Sequence, residues 1–396
     1  MMRVSLPVSA GILMRAVRSS VVRCGLAVAA LAALSTAGAG TLAAQAAPPA
    51  KGTKSDAPKA KKADNDTTPK VPKAPDSPLF KSESVIDATL TANFKAVKKD
   101  KSETAPWHAA TIAYADSDAP GGKRVVPLRV RTRGIWRLKN CDFPPLRFNF
   151  ANKEVKGSVF HDVDEPKLVS YCRNTTTYEQ YVLQEFQLYR IYRLLTPVSH
   201  QVRLFRMSYA DSASGKVEST HFAFIVEDPA SVAARAGGKI LKSQGAMPED
   251  LQPETATISY LFQYMIGNTD FSISGLHNAE LIALPNGSNL PIAYDFDFSG
   301  AVDATYAAPD VSLPINTVRN RLYRGFCSEN AEVTRLLPRF QEKKAAIYAL
   351  YADPLGQLMA PRVVKETLAY FDEFYATIGN PKDVERKILK ECRKVK

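Results

Sequence analysis

Residues 266–300 read IGNTDFSISGLHNAELIALPNGSNLPIAYDFDFSG, and this stretch decides the fold of the second half of the chain. Two apolar runs, Ala279–Leu284 and Leu290–Tyr294, flank an Asn-Gly pair. Asn-Gly between apolar runs predicts a β-hairpin, because both residues accept the positive φ that tight turns require. Asn278 enters this hairpin and Asp295 leaves it, so antiparallel pairing brings the two residues to the same end of the ribbon.

Carboxylate side chains lie on both sides of the hairpin. Two carboxylates about 4 Å apart repel each other by roughly 4 kcal/mol at an effective dielectric of about 20, and a divalent cation removes that repulsion. Mg²⁺ prefers one or two carboxylates together with amide, water and phosphate oxygens. We therefore predict that Asn278 and Asp295 hold Mg²⁺ or Mn²⁺, with Asp297 as the alternative ligand. Each Asp alone is also typical of a turn, but the combination favours a site.

An apolar segment, Thr255–Ile266, precedes the first acid and predicts a buried helix. Gly267 follows it and can adopt the left-handed conformation that ends a helix. Asp270 then lies in a loop just beyond the helix. From there it could orient or deprotonate an acceptor hydroxyl group during phosphoryl transfer.

The first half of the chain predicts mostly strands around one helix. Tyr178–Leu195 has apolar residues at helical spacing. The predicted strands are short β-rich runs bounded by Gly, Pro and charged turns: Thr111–Tyr114, Val125–Thr132, Leu146–Phe150, Val202–Tyr209 and His221–Glu227.

Glu185 lies on or beside the apolar face of the predicted helix. A buried carboxylate there requires a cation, and Lys167 in a strand-like run is a candidate. In protein kinases a strand lysine that holds nucleotide phosphates pairs with a helix glutamate. The alternative is that Glu185 lies on the solvent edge of the stripe and that Lys167 is a surface lysine.

The two ends of the chain differ in composition. Residues 1–46 combine arginines, an apolar run and Ala44-Gln45-Ala46, which predicts a cleaved signal peptide rather than a membrane anchor. Residues 47–79 are rich in Lys, Pro, Ala and Asp, which predicts a disordered linker. Residues 329–396 have apolar residues at helical intervals and predict a helical end to the fold.

Charge and cysteine usage fit an exported protein. The formal net charge is +12, part of which lies before residue 80, and no stretch interleaves basic with aromatic residues, so we predict no nucleic-acid partner.

After removal of the signal, Cys141, Cys172, Cys327 and Cys392 remain. An even number of cysteines in an oxidising compartment predicts two disulfides. Three pairings are possible, and proximity in sequence favours Cys141 with Cys172 and Cys327 with Cys392.

Several motifs resemble those of the spore-coat-protein-H-like (CotH) kinase family. Within that family they resemble a group of exported bacterial proteins. The resemblance covers about residues 80–330. Its motifs are Arg131-Thr132-Arg133-Gly134, Cys141-Asp142-Phe143-Pro144-Pro145-Leu146, Lys167-Leu168-Val169, Ile266-Gly267-Asn268-Thr269-Asp270, His277-Asn278, Tyr294-Asp295-Phe296-Asp297 and Arg324-Gly325-Phe326-Cys327.

This resemblance implies an α+β, atypical protein-kinase-like fold of two lobes. The N-terminal lobe, 80–236, would be β-rich and the C-terminal lobe, 237–396, mostly helical. It also implies ATP and Mg²⁺ as cofactors and a protein or cell-envelope component as acceptor. By this resemblance Asp270 looks like the catalytic carboxylate of the family, and Asn278 and Asp295 look like its metal ligands.

The catalytic loop and the phosphate loop depart from the kinase pattern. Seven residues separate Asp270 from Asn278, whereas kinases have the tighter Asp-x-x-x-x-Asn spacing. The chain has no Gly-x-Gly-x-x-Gly loop, so Arg133-Gly134 or Gly121-Gly122 would cover the phosphates.

The nucleotide-binding cation and the compartment are two further points of difference. Arg147 or Lys139 could replace Lys167 as the cation that holds the nucleotide. ATP is also scarce outside the inner membrane, where an exported protein acts. Two functions remain: an exported phosphotransferase, periplasmic or secreted, and a catalytically silent kinase-like protein that binds an envelope or surface component.

Overall fold

The computed structural model describes residues 76–102 and 104–395, which form a mixed α+β fold, as predicted. The predicted signal peptide, 1–46, and most of the predicted linker, 47–79, lie outside the described residues. Leu79, which the sequence assigned to the linker, is fully buried. The folded part therefore begins slightly before the predicted boundary at residue 80.

Seven strands before residue 230 form a closed barrel in the order β1-β2-β3-β4-β5-β7-β6. All neighbours are antiparallel except β1 and β6, which pair in parallel and close the barrel. The strands are β1 (Ile86–Ala92), β2 (His108–Ala115), β3 (Lys123–Thr132), β4 (Leu146–Asn149), β5 (Lys167–Val169), β6 (Val202–Asp211) and β7 (Val217–Val226).

A second sheet has three strands in the order β10-β9-β8. Its strands are β8 (Lys239–Leu241), β9 (Ala279–Ala283) and β10 (Asn289–Ala293). Strands β9 and β10 form the predicted hairpin, in which Ala279 pairs with Ala293. The hairpin prediction is therefore confirmed, although β9 ends one residue earlier than the sequence suggested and β10 is shifted by one residue toward the N-terminus.

Helices dominate the chain after residue 250, and one long helix lies among the strands of the first half. The helices are α1 (Phe94–Val97), α2 (Trp136–Asn140), α3 (Asn152–Val155), α4 (Thr176–Leu195), α5 (Pro229–Arg235), α6 (Pro253–Ile266), α7 (Asn330–Ala352), α8 (Pro361–Ile378) and α9 (Pro381–Val384). Short 3₁₀ turns cover Pro78–Phe80, Pro120–Gly122, Pro248–Asp250, Cys327–Glu329 and Gly356–Leu358, and a π turn covers Glu385–Leu389.

Aromatic side chains fill two large apolar cores. One lies inside the barrel, where the inward residues of each strand alternate with outward polar ones, as in Val126, Leu128 and Val130 of β3. The other joins α4 and α6 to the C-terminal helices. The predicted C-terminal helices supply the aromatic residues Phe340, Phe371 and Phe374 to it, each fully buried.

Both predicted disulfides are present. Cys141, directly after α2, is bonded to Cys172 in the segment that leads into α4. Cys327, just before α7, is bonded to Cys392 near the end of the chain. The first bond fastens the connection between β3 and β4 to the entrance of α4.

Within the described ranges, no helix combines the length and the apolar character needed to cross a bilayer. The division into lobes at residue 236 stays a prediction.

Candidate functional site

The loop that carries Asp270 is held by its own backbone and side chains. Helix α6 ends at Gly267, which has a φ of 66°. The Asn268 side-chain oxygen accepts a hydrogen bond from the Asp270 N–H at 3.0 Å. The Arg324 guanidinium donates to the carbonyl of Thr269. These contacts fix the direction in which the Asp270 side chain leaves the loop.

Both carboxylate oxygens of Asp270 have partners. Nε2 of His277 lies 2.8 Å from Oδ1. The Asn278 amide donates to Oδ2 at 3.0 Å and to the Asp270 carbonyl at 2.8 Å. Since the Asn278 amide nitrogen is occupied in this way, its carbonyl oxygen is the atom left to bind a cation.

The long spacing between Asp270 and Asn278 is absorbed by a small loop. Ser272 and His277 exchange two backbone hydrogen bonds, of 2.8 and 3.0 Å. The residues between them form a turn, so the chain returns to Asp270 immediately after it. The sequence departure from kinase spacing therefore does not separate the two side chains.

The hairpin brings Asp295 back beside Asn278, as the sequence predicted. The Tyr294 N–H donates to the Asn278 carbonyl at 3.2 Å, which extends the pairing of β9 and β10 by one residue. The Asp295 N–H donates to the Tyr189 hydroxyl of α4 at 2.9 Å. Asn278 and Asp295 both have positive φ, 47° and 62°, a conformation that stores strain in residues other than glycine and is concentrated at functional sites.

Two further acids lie buried behind Asp295. Asp297 is 4 % exposed and accepts a hydrogen bond from the Tyr306 hydroxyl at 2.8 Å. Burial, together with the negative charge of Asp295, raises the pKa of Asp297 to about 6. The charge of Asp270 acts in the same direction. Asp270 and Asp295 therefore both lie within electrostatic range of one buried carboxyl group.

Glu185 of α4 belongs to the same acidic group. It is 1 % exposed, and its Oε1 has no hydrogen-bond partner in the described part of the chain. Burial and the charges of Asp297 and Asp295 raise its pKa well above the ordinary value for glutamate. Arg137 and Arg133 oppose that shift.

These two arginines come from the connection between β3 and β4. Arg137 donates to the carbonyl of Ser170, and the Nε atoms of Arg133 and Arg137 are buried without partners among the residues described. The ring of Trp136 packs against Phe298 and Tyr306, at centroid distances of 5.5 and 5.1 Å. The connection is thereby docked over the acids.

A cavity of about 330 Å³ opens beside this group. Lys167, Asp295 and Arg133 line it together with residues 226–230, which run from the end of β7 into the start of α5. The other lining residues are Arg147, Glu165, Val169, Tyr189, His200, Ile240, Lys242, Glu280 and Tyr294. The lining thus combines charged groups with aliphatic side chains.

Lys167 lies in this cavity but does not pair with Glu185. Its ammonium is 4.0 Å from the centre of the Tyr294 ring. Burial and the positive charge of Arg133 lower its pKa to about 8. Among the described residues no ion pair joins it to Glu185, and the positive charges that act on that carboxylate are those of Arg137 and Arg133.

The structure distinguishes between the candidate side chains that would bind the nucleotide and between the candidate glycine turns that would cover its phosphates. Arg147 lines the cavity beside Lys167, whereas Lys139 is exposed and does not line it. Gly134, which has a φ of 82°, directly follows Arg133, a residue that lines the cavity. Gly121-Gly122 lie in the turn between β2 and β3 and do not line the cavity.

Sequence reasoning missed four groups at this site: Arg137, Tyr189, His200 and Tyr306. Tyr189 lies within the helix predicted over Tyr178–Leu195 but was given no role at a site, and the others lie outside any motif. Nothing in their local sequence indicates that they converge. His277 was noted beside Asn278, but not as a partner of Asp270.

The donor atoms fit a hard divalent cation. Asn278, Asp295 and Asp297 offer amide and carboxylate oxygens, the ligands that Mg²⁺ and Mn²⁺ take in proteins. Asp295 lines the cavity, whereas Asp297 is occupied by Tyr306, so Asp295 is the more accessible carboxylate. No group of three or more His, Cys, Asp or Glu side chains in the described ranges is arranged to hold a metal by itself. Ligands from a nucleotide would complete the set.

Comparison with known proteins gives no family or relative: no family model matches the chain, and no curated protein matches it.

Proposed function

We propose that this chain is an exported phosphotransferase of the atypical kinase type, dependent on ATP and Mg²⁺ or Mn²⁺. The observation that carries the proposal is that Lys167 and Asp295 line one cavity, with Asp270 and Asn278 in contact at the end of the hairpin that delivers Asp295. A cation and a metal ligand from distant parts of the sequence thus share a cavity, and the candidate base contacts Asn278 at the end of the same hairpin.

The order of these groups along the chain supports a kinase-like, two-lobed architecture. A lysine on a strand, a glutamate on the next helix, then a carboxylate, an asparagine and a second carboxylate follow one another in protein kinases. Here Lys167 is on β5, Glu185 on α4, and Asp270, Asn278 and Asp295 follow in the second half. The order favours the CotH-like family proposed from the motifs.

Lys167 and Arg133 would bind the phosphate groups of the nucleotide. Both side chains line the cavity, and the buried Nε of Arg133 has no partner in the described chain. A guanidinium group binds phosphate oxygens through paired, charge-assisted hydrogen bonds. These two cations, with Gly134 leaving room at the turn, would replace the glycine-rich loop.

Asn278 and Asp295 would hold the metal, which neutralises charge on the transferred phosphoryl group. The role of Asp270 is to orient the acceptor hydroxyl and accept its proton. The hydrogen bonds from His277 and Asn278 hold the Asp270 carboxylate in place for that step.

The proposed location and acceptor follow from the sequence. Two disulfides are compatible with an oxidising compartment, so we propose a periplasmic or secreted protein. Its acceptor would be a protein or another component of the cell envelope.

The competing function is a catalytically silent, kinase-like binding protein of the envelope. The observation that favours it is that Lys167 and Glu185 do not pair, whereas active protein kinases require that pair. Here Arg137 and Arg133 lie near Glu185 instead. Because Lys167 is not paired with Glu185, its ammonium can bind a phosphate group directly. We favour the enzyme for this reason.

Transfer of the terminal phosphate decides between these functions. The purified chain is incubated with ATP labelled at the γ-phosphate, Mg²⁺ or Mn²⁺, and an extract of envelope proteins. We expect metal-dependent labelling of protein or release of labelled phosphate, and its loss in Asp270→Asn. The matched control, Asp118→Asn, changes an exposed carboxylate in the turn before β3 and should leave the rate unchanged. Equal rates in wild type and Asp270→Asn would exclude the enzyme.

A further inference from the structure

His200 is a buried histidine in the wall of the cavity. It lies between α4 and β6, is 2 % exposed and lines the cavity. Its Nδ1 is 2.9 Å from the backbone carbonyl oxygen of Glu227. The rings of Tyr189 and Tyr294 pack edge-on against it. The ring is therefore fixed in one orientation.

The contact with Glu227 also fixes the position of the proton on the ring. A carbonyl oxygen only accepts hydrogen bonds, so Nδ1 must carry the proton. Burial and the positive charge of Lys167 lower the pKa of His200 to about 3, so the ring is neutral at physiological pH. Nε2 then carries a lone pair, and it is buried without a partner among the described residues.

This lone pair fits the amino group of a nucleotide base rather than a phosphate, because ionised phosphate oxygens only accept hydrogen bonds. Residues 226–230, which include the Glu227 carbonyl that accepts the hydrogen bond from His200, line the same cavity. Val169, Val226 and Ile240 add aliphatic surface. Lys167 also lies near His200: its charge acts on the ring, and its ammonium is 4.0 Å from the centre of the Tyr294 ring that packs against His200. A buried acceptor selects a ligand that brings an N–H or O–H donor.

We propose that Nε2 of His200 accepts a hydrogen bond from the 6-amino group of adenine, so that the cavity selects adenine nucleotides over 6-oxopurine nucleotides. This inference rests on the proposed nucleotide site. A 6-oxopurine such as inosine presents a carbonyl oxygen at that position. Two lone pairs would then face each other in a buried place.

Binding of three nucleotides tests the inference without any knowledge of the acceptor. Affinities of the full chain for ATP, inosine triphosphate and 2′-deoxy-ATP are measured by calorimetry with Mg²⁺. We expect ATP to bind at least about tenfold more tightly than inosine triphosphate, the effect of one unpaired buried polar group. We expect 2′-deoxy-ATP to match ATP, because the base and not the ribose hydroxyl supplies the donor.

Variants assign the discrimination to one side chain. His200→Phe keeps a flat ring but removes the acceptor, and should reduce the ratio of the two affinities to near one. The matched control is His221→Phe, since His221 is also buried but does not line the cavity. It should keep the full ratio.

The outcomes separate the two proposals. Equal wild-type affinities for ATP and inosine triphosphate would overturn the role of His200 while leaving the nucleotide site intact, and a water molecule would then satisfy Nε2. A selective loss with 2′-deoxy-ATP would overturn it in favour of the ribose hydroxyl. Failure of the wild type to bind any of the three would overturn the proposed function itself. The wild-type comparison stands even if His200→Phe does not fold.

Discussion

The side-chain amide of Asn278 donates to both the backbone carbonyl and the carboxylate of Asp270, at 2.8 and 3.0 Å. This contact joins the loop after α6 to the start of the hairpin that ends at Asp295. It fixes the candidate base and leaves one Asn278 oxygen for a metal.

Asn278→Gly tests this double role. Glycine accepts the positive φ of 47° at this position, so the backbone can keep its path while the side chain is lost. We expect the Mg²⁺ concentration needed for ATP binding to rise about 10- to 100-fold. Titration of Mg²⁺ at fixed ATP measures it. The control is Leu276→Gly, at a similar φ of 49° in the same loop; an equal effect there would show that only loop rigidity had changed.

Arg133→Met removes a guanidinium from the cavity while keeping an unbranched side chain. We expect the affinity for ATP to fall about 10- to 100-fold, the effect of losing a charge-assisted hydrogen bond, while the affinity for adenosine stays unchanged. Calorimetry with both ligands measures the difference. Arg129→Met is the control, because Arg129 lies on the exposed face of the preceding strand. An equal loss for adenosine would contradict a phosphate-binding role.

Glu329 makes the stability of the fold depend on pH. It is 6 % exposed, neither carboxylate oxygen has a partner within the described residues, and burial raises its pKa to about 7. In the unfolded chain it ionises near its ordinary value of 4.5. Between these values the folded state binds more protons than the unfolded state, so stability falls as the pH rises from about 4.5 to about 7, by up to about 1.4 kcal/mol per unit.

Glu329→Gln should remove this loss. We expect the variant to be more stable than wild type by about 3 kcal/mol at pH 8 and by little at pH 4. Thermal unfolding at a series of pH values compares the two. A constant difference across the range would show that Glu329 does not titrate as described.

Gly267→Ala tests the packing beneath the loop that carries Asp270. Gly267 has a φ of 66°, and an added Cβ would clash with the hydroxyl of Tyr370 on α8. We expect a loss of about 2–5 kcal/mol, from the left-handed backbone and from overpacking. Gly287→Ala is the control, since its φ of 88° is also positive but no atom lies within 4 Å. Denaturant unfolding measures both, and equal losses would mean that contact with Tyr370 contributes nothing.

Local patterns were sufficient to predict most elements of this fold. The hairpin, the helix that carries Glu185 and the helix before Asp270 all have a periodicity or turn signal that acts over a few residues. Strand β1 was not predicted, although its alternate residues Ala88, Leu90 and Ala92 are buried. Its parallel pairing with β6 joins segments more than a hundred residues apart, and no local signal encodes such a contact.

The candidate site was predictable in part for the same reason. Asn278 and Asp295 are joined by a hairpin, so their proximity followed from the sequence. The pairing of Lys167 with Glu185 was expected by analogy with kinases, and it does not form. Arg133 and Arg137 approach Glu185 through a disulfide-anchored connection. Their approach depends on tertiary packing, which periodicity does not report.

Calorimetric titration of ATP into the full chain, with Mg²⁺ and then with excess chelator, tests the shared cavity most directly. Wild type should bind ATP only when the metal is present. Asp295→Asn should lose the metal-dependent part, while Asp118→Asn should keep it. Binding that is equally strong in chelator, or unchanged in Asp295→Asn, would contradict a metal-assisted nucleotide site formed by Lys167 and Asp295.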